Sequence, residues 1–161
     1  MLSARNRIRD DGPMRLEITR RADLAVRALL VLHAREGKRI KGSELAAQLG
    51  TTPGFMPQAL APLVQAGWIR SDPGPSGGYV GAVDLGALDV LAVVEAVEGP
   101  TETGICVVRG SACGVGSPCA LHTAWSRGRQ VLIESLAATK LADLDVNAVL
   151  NDGPPESMPA P

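Results

Sequence analysis

Cys106, Cys113 and Cys119 are the chain's only cysteines, and His122, one of two histidines, closes the same stretch, residues 104–122. Six residues separate the first two cysteines, five separate the next two, and two lie between Cys119 and His122. Three soft thiolates and an imidazole suit an iron–sulfur cluster, zinc or Cu(I). Zinc sites usually space a cysteine pair by about two to four residues. The wider gaps lean away from zinc without excluding it. The plainer alternative is three free thiols in a loop, one of them surface-reactive. Gly104, Gly110, Gly114, Gly116 and Pro118 leave the loop few side chains to bury. Packing is then a poor means of ordering it, and a group bound to the thiolates a better one.

Two helices must position this loop. Before it, a helix starting at Asp84 or its neighbours carries Leu88, Leu91, Val94 and Val97 on one face, and Gly99-Pro100 ends it. After it, residues 120–139 read as one helix about 28 Å long at 1.5 Å per residue. Its apolar stripe is Leu121, Ala124, Trp125, Gly128, Val131, Leu132 and Leu136. A chain of 161 residues has little core left to cover so long a helix. The expectation is a homodimer with Leu121, Trp125, Gly128, Leu132 and Leu136 in the contact.

The front half reads differently. Residues 1–71 carry 12 Lys and Arg against 6 Asp and Glu, whereas residues 72–161 carry 4 against 11. A front of net +6 and a rear of net −7 suggest a nucleic-acid-binding head and a different task behind. From Thr19, apolar residues recur at helical steps through Ala22, Ala25, Val26, Leu29, Leu32 and His33 to Gly37. Asp23 and Arg27 sit one turn apart as a surface ion pair. A second helix is expected from Ser43 as N-cap, through Leu45, Ala46 and Leu49 to Gly50. Thr52-Pro53 is expected to open a third, with Met56, Leu60, Leu63 and Val64 inward and Pro62 kinking it or costing a hydrogen bond. Two short helices about a Gly-containing turn make a helix-turn-helix. Thr51, Thr52 and Gln58 are then placed to meet bases, and Arg20, Arg21, Lys41 and Arg70 to meet phosphates. Residues 68–71 and 79–80, around Asp72-Pro-Gly-Pro-Ser-Gly-Gly78, read as a β-hairpin wing whose tip, with Ser76 and Gly77, lies against DNA.

The fold class expected is mainly α with a small β-wing: a winged helix-turn-helix plus a long dimerisation helix. The organisation is a flexible arm at 1–13, the DNA-binding domain at 14–83, a connecting helix at 84–103 and the cysteine loop at 104–119. The dimerisation helix and end segment follow at 120–146, and a disordered tail at 147–161. Only four residues are aromatic, so the core is expected to be Leu, Val and Ala. No apolar run reaches a membrane span, and without a signal peptide the expected compartment is the reducing cytoplasm. An enzyme is not expected: the chain has no Cys-x-x-Cys, no Gly-rich nucleotide loop after a strand and no Ser/His/Asp set.

These motifs in this order resemble the IscR/NsrR group of winged-helix iron–sulfur transcription regulators. The matching stretches are Met14-Arg-Leu with Asp23-Leu-Ala-Val-Arg-Ala28, Leu60-Ala-Pro-Leu-Val-Gln-Ala-Gly67, Gly74-Pro-Ser-Gly-Gly-Tyr79, Leu88-Asp-Val, Glu95-Ala-Val-Glu-Gly-Pro100, the three cysteines and Thr139-Lys-Leu-Ala-Asp-Leu144. The resemblance spans about residues 14–146. It implies a homodimer on a palindromic double-stranded operator and a sensing [2Fe-2S] or [4Fe-4S] cluster on the cysteines. Cys119-Ala-Leu-His-Thr-Ala-Trp125 is similar to the IscR type, in which His122 would complete a [2Fe-2S] site. Asp23 falls where the nitric-oxide-sensing NsrR type takes a carboxylate ligand from the partner subunit, the alternative that goes with [4Fe-4S]. A zinc- or thiol-based redox switch on the same dimer is the other regulatory reading.

Overall fold

The computed structural model describes residues 18–74, 77–101, 104–106, 108, 112 and 118–151. The expected arm at 1–13, Ser76 at the wing tip and Cys113 lie outside the described residues.

Helix α1, Arg20–Ala34, is the centre of the head. Thr19 stays extended and its hydroxyl accepts from the Ala22 N–H, satisfying one of the donors a helix start leaves over. Leu24, Leu30 and Val31 are buried along with the expected stripe of Ala22, Ala25, Leu29 and Leu32, so α1 is covered over most of its circumference. His33, at its end, is exposed. Arg27 departs from the surface pair expected of it: it is 6% exposed, with its guanidinium 3.6 Å from Asp23. Neighbouring elements close over it because α1 packs against almost everything else in the head.

Helix α2, Gly42–Gln48, begins one residue before Ser43, with Lys41 rather than Ser43 at the cap position. Helix α3, Met56–Gln65, also starts later than expected. Thr52 and Pro53 belong to a turn closed by the Phe55 N–H on the Thr52 carbonyl at 3.1 Å, which places Pro57 in the first turn, where its missing N–H costs nothing. Pro62 is accommodated inside a continuous helix. Met56, Ala59, Leu60 and Leu63 face inward and Val64 only partly.

The wing is β1, Ile69–Asp72, antiparallel to β2, Gly78–Gly81, in the register Ile69↔Gly81 to Asp72↔Gly78. A bridge from Ile40 to Tyr79 adds a short third edge. Helix α4, Val90–Glu98, starts later than Asp84: residues 85–87 form a turn, and Asp89 caps the helix through a 2.9 Å bond from the Ala92 N–H. Its buried face is Val90, Val93 and Val97, and the expected Leu91 and Val94 are half-buried. Helix α5, His122–Ala138, contains no buried residue. A single 3₁₀ turn, Leu141–Asp143, buries Leu141 completely against the head. Helix α6, Val146–Asn151, then occupies the start of what was expected to be a disordered tail from 147, and it packs back on α1.

Candidate functional site

The base-facing candidates sit where α2 turns into α3. Thr52 and Gln58 are exposed and Thr51 is half-buried, with its N–H on the Ala46 carbonyl at 2.9 Å. Lys41, Ser43, Ser71, Asp72, Gly77 and Tyr79 line an open cleft of about 560 Å³ between the start of α2 and the wing. Burial pushes the Tyr79 phenol up. Arg70 is exposed on β1. Arg39 pairs with Asp72, fixing the wing root to the segment before α2.

Gly77 and Gly78 have structural duties that the sequence reading missed. A Cβ on Gly77 would meet the Asp72 carbonyl oxygen at 2.1 Å, and one on Gly78 the Ile40 carbonyl oxygen at 2.3 Å. The double glycine is what lets the wing close on itself and on Ile40. Arg20 and Arg21, expected on phosphates, are both exposed, and each also makes a bond within the chain. Arg20 donates to the Gly50 carbonyl at 3.1 Å, and Arg21 donates to the Val97 carbonyl at the end of α4.

The cysteine loop leaves α4 through a built turn. The Glu95 carboxylate accepts from the Thr101 N–H at 2.9 Å and from its hydroxyl at 2.6 Å. These two bonds hold the Glu95 carboxyl below the ordinary carboxylate range. Beyond that turn Ile105 bridges to Ala112, folding the loop back on itself. Cys106 is buried and Cys119 half-buried, and their sulfurs stand 3.5 Å apart. Two thiolates on one metal at about 2.3 Å each, tetrahedrally disposed, would lie about 3.8 Å apart, so this pair fits a shared metal of an iron–sulfur or zinc centre. His122 begins α5 with its N–H on the Cys119 carbonyl at 3.0 Å, which sets it one turn past that ligand candidate. Among the described residues no group of three His, Cys, Asp or Glu side chains is gathered as a ready cage. Asp23, 50% exposed, faces Arg27.

Past the loop, Leu121 at the start of α5 and Val131 and Leu132 within it are 55%, 66% and 49% exposed, beside exposed Arg127, Gln130 and Glu134. A Cβ added at Gly128 would meet nothing within 4 Å. Trp125 and Leu136 are half-buried, Leu136 against the edge of the core. Among the described residues no helix is long and apolar enough to cross a membrane.

A winged helix-turn-helix head, carrying a cysteine loop and an uncovered helix, defines a regulator of the winged-helix class. The chain belongs to the Rrf2 family: the family model, an iron-dependent transcriptional regulator, matches residues 18–147. It is thus a DNA-binding transcription regulator. It is 28% identical over 131 residues to the HTH-type transcriptional regulator IscR of Yersinia pseudotuberculosis, covering 80% of this chain and 79% of that protein. Among solved structures it is similar to CymR, the global cysteine regulator of B. subtilis, with a TM-score of 0.63 at 24% identity over 80% of this chain and 95% of that one. The T. potens IscR structure matches with a TM-score of 0.59 at 24% identity, covering 82% and 88% of the two chains. The oxidized form of Staphylococcus aureus CymR matches with 0.62 at 22% identity, covering 81% and 98%. At these identities the solved structures establish the fold.

Proposed function

We propose that this chain binds a palindromic double-stranded operator as a cytoplasmic homodimer, and that an iron–sulfur cluster in the cysteine loop sets its operator affinity in response to cluster supply, redox stress or nitric oxide. The observation that carries this reading is the 3.5 Å approach of Cys106 and Cys119 at the junction of α4 and α5. Cys106, Cys113 and Cys119 supply thiolates, and His122 is the favoured fourth ligand of a [2Fe-2S] cluster. Asp23 with [4Fe-4S] is the alternative. Asp23 already has work in its own helix, since it faces the buried Arg27, and this supports His122. When bound, such a cluster supplies a redox-active, labile group whose potential depends on its ligands. On the head, Thr51, Thr52 and Gln58 read bases, while Lys41, Arg70 and the wing around Gly77 follow phosphates. The exposed stripe of α5, with Leu121 and Leu132, is the face that a second copy covers.

Anaerobic purification tests this directly. The chain should be coloured and contain iron and acid-labile sulfide. His122→Ala should change the visible spectrum and the iron and sulfide content, and Asp23→Ala should leave both nearly unchanged. The reverse outcome moves the ligand to Asp23 and the signal towards nitric oxide. A second reading, a zinc- or thiol-based switch on the same dimer, is favoured by the same two sulfurs. A disulfide at about 2.05 Å needs them to close only a short further distance. A colourless, zinc-containing protein, or one that reversibly loses two thiols as peroxide is reduced to water, selects it.

A further inference from the structure

The first turn of α1 touches both ends of the regulatory problem. Thr19 caps the helix by accepting from the Ala22 N–H, and its own O–H donates to the Glu98 carboxylate at the last residue of α4. Arg21, in the same turn, donates to the Val97 carbonyl, one of those the end of α4 leaves without a helical partner. Gly99 follows at φ 92°, and Glu95 then grips Thr101, five residues before Cys106. On the other side Arg20 donates to the carbonyl of Gly50, the left-handed residue between α2 and α3 that immediately precedes Thr51 and Thr52. The root of the cysteine loop and the turn that aims the recognition helix are thus bonded to three consecutive residues.

We propose that Thr19-Arg20-Arg21 is the link through which the cysteine loop acts on the DNA-reading turn within one protomer. The inference rests on the cluster-gated reading above. It assigns Arg20 and Arg21 as positioning residues rather than phosphate contacts. A ligand in the loop shifts the head only by favouring one of two arrangements. Here the arrangement is passed on as a movement of the α4 end, carried by Thr19 and Arg21 into the capped first turn of α1 and by Arg20 into Gly50. No contact between the two heads of a dimer is needed for it.

The test uses the full chain, reconstituted without oxygen from iron and sulfide, and the same chain apo. In the wild type the two forms should differ in operator affinity by about 5–150-fold, the usual range of allosteric couplings. Thr19→Val and Arg21→Leu should bring that ratio close to one while the iron and sulfide content, the visible spectrum and the salt slope of binding stay as in the wild type. Thr19→Ser should keep the ratio. In the apo chain, amide exchange should quicken in Arg21→Leu both at Gly99 and Thr101 and at Gly50 and Thr51. An unchanged ratio in both variants overturns the link, as does faster exchange confined to one side of it. So does a salt slope lowered by about one, which would make Arg21 a phosphate contact. A wild-type chain that binds no cluster, or binds DNA equally with and without it, overturns the underlying reading, and the proposal falls with it.

Discussion

The head and the α5 arm are built from similar residues and end in opposite states. In the head, Leu24, Leu29, Leu30, Leu32, Leu60 and Leu63 are at most 1% exposed. In α5, seventeen residues long, nothing is buried, and Val131 and Leu132 face out. A fully buried Leu contributes about 1.5–3 kcal/mol relative to an exposed one, so the head is stabilised from within and α5 forgoes most of that gain in a single chain. The head's apolar residues are covered within one chain, whereas those of the arm stay open, which is why a second copy is the proposed cover. The cysteine loop lies in the chain between the buried face of α4 and the open face of α5.

The sharpest way to break that contrast is Leu132→Asp. It should yield monomers by sedimentation and weaken operator binding by about 10²–10⁴-fold through lost bivalency, while the head's melting transition stays nearly in place. Leu60→Ala should do the opposite, costing about 2–5 kcal/mol of unfolding free energy in denaturant melts. A Leu132→Asp chain that still sediments as a dimer would remove α5 from the interface.

Within the head, Gly78→Ala forces a Cβ to within 2.3 Å of the Ile40 carbonyl oxygen at a φ of 156°. It should cost about 1–3 kcal/mol of stability and detach the wing from Ile40, seen as lost protection of the Tyr79 amide. Were the wing glycines needed only for approach to DNA, stability would not change and affinity alone would fall.

A smaller effect is expected at Arg70, exposed on β1. Arg70→Ala should change stability by less than about 0.5 kcal/mol. It should weaken binding to every DNA sequence and lower the salt slope by about one. Affinity that does not fall steeply with salt would dismiss the basic head as a DNA surface.

The smallest effect is a pH dependence at the loop root. Thr101 holds the Glu95 carboxyl below its ordinary range, so the bond's contribution is fully present above the ordinary carboxylate pKa. It is lost as pH falls through the lowered folded value. The protection factor of the Thr101 amide, exchange corrected for the intrinsic pH dependence, should fall across that acidic window, and Glu95→Gln should flatten the response.

Periodicity and turn residues by themselves determined the elements of the head, because a helix face or a hairpin is a local property: the α1 stripe, the Gly50 turn and the wing about Asp72 were all legible. So was the exposed character of α5, since a count of residues against helix length already leaves it uncovered. Boundaries were less legible. Ser43 and Thr52 look like caps, but Lys41 and Phe55 occupy those places, because backbone turns closed from Lys41 and Thr52 set the helix starts. The face of α4 was half legible: Leu88 and Val97 are buried as expected, but Val90 and Val93 take the inward places given to Leu91 and Val94. Three matters were decided only by tertiary structure. Arg27 is buried although its charge and its pairing with Asp23 read as surface, because the elements closing over α1 come from distant parts of the chain. Cys106 and Cys119, thirteen residues apart, meet at 3.5 Å through a fold of the loop that spacing does not encode. Arg20 and Arg21 look like a basic patch, yet they spend bonds on Gly50 and Val97, 30 and 76 residues away. Charge is written in the sequence, but the partner that satisfies it is chosen by which carbonyls the fold leaves within reach.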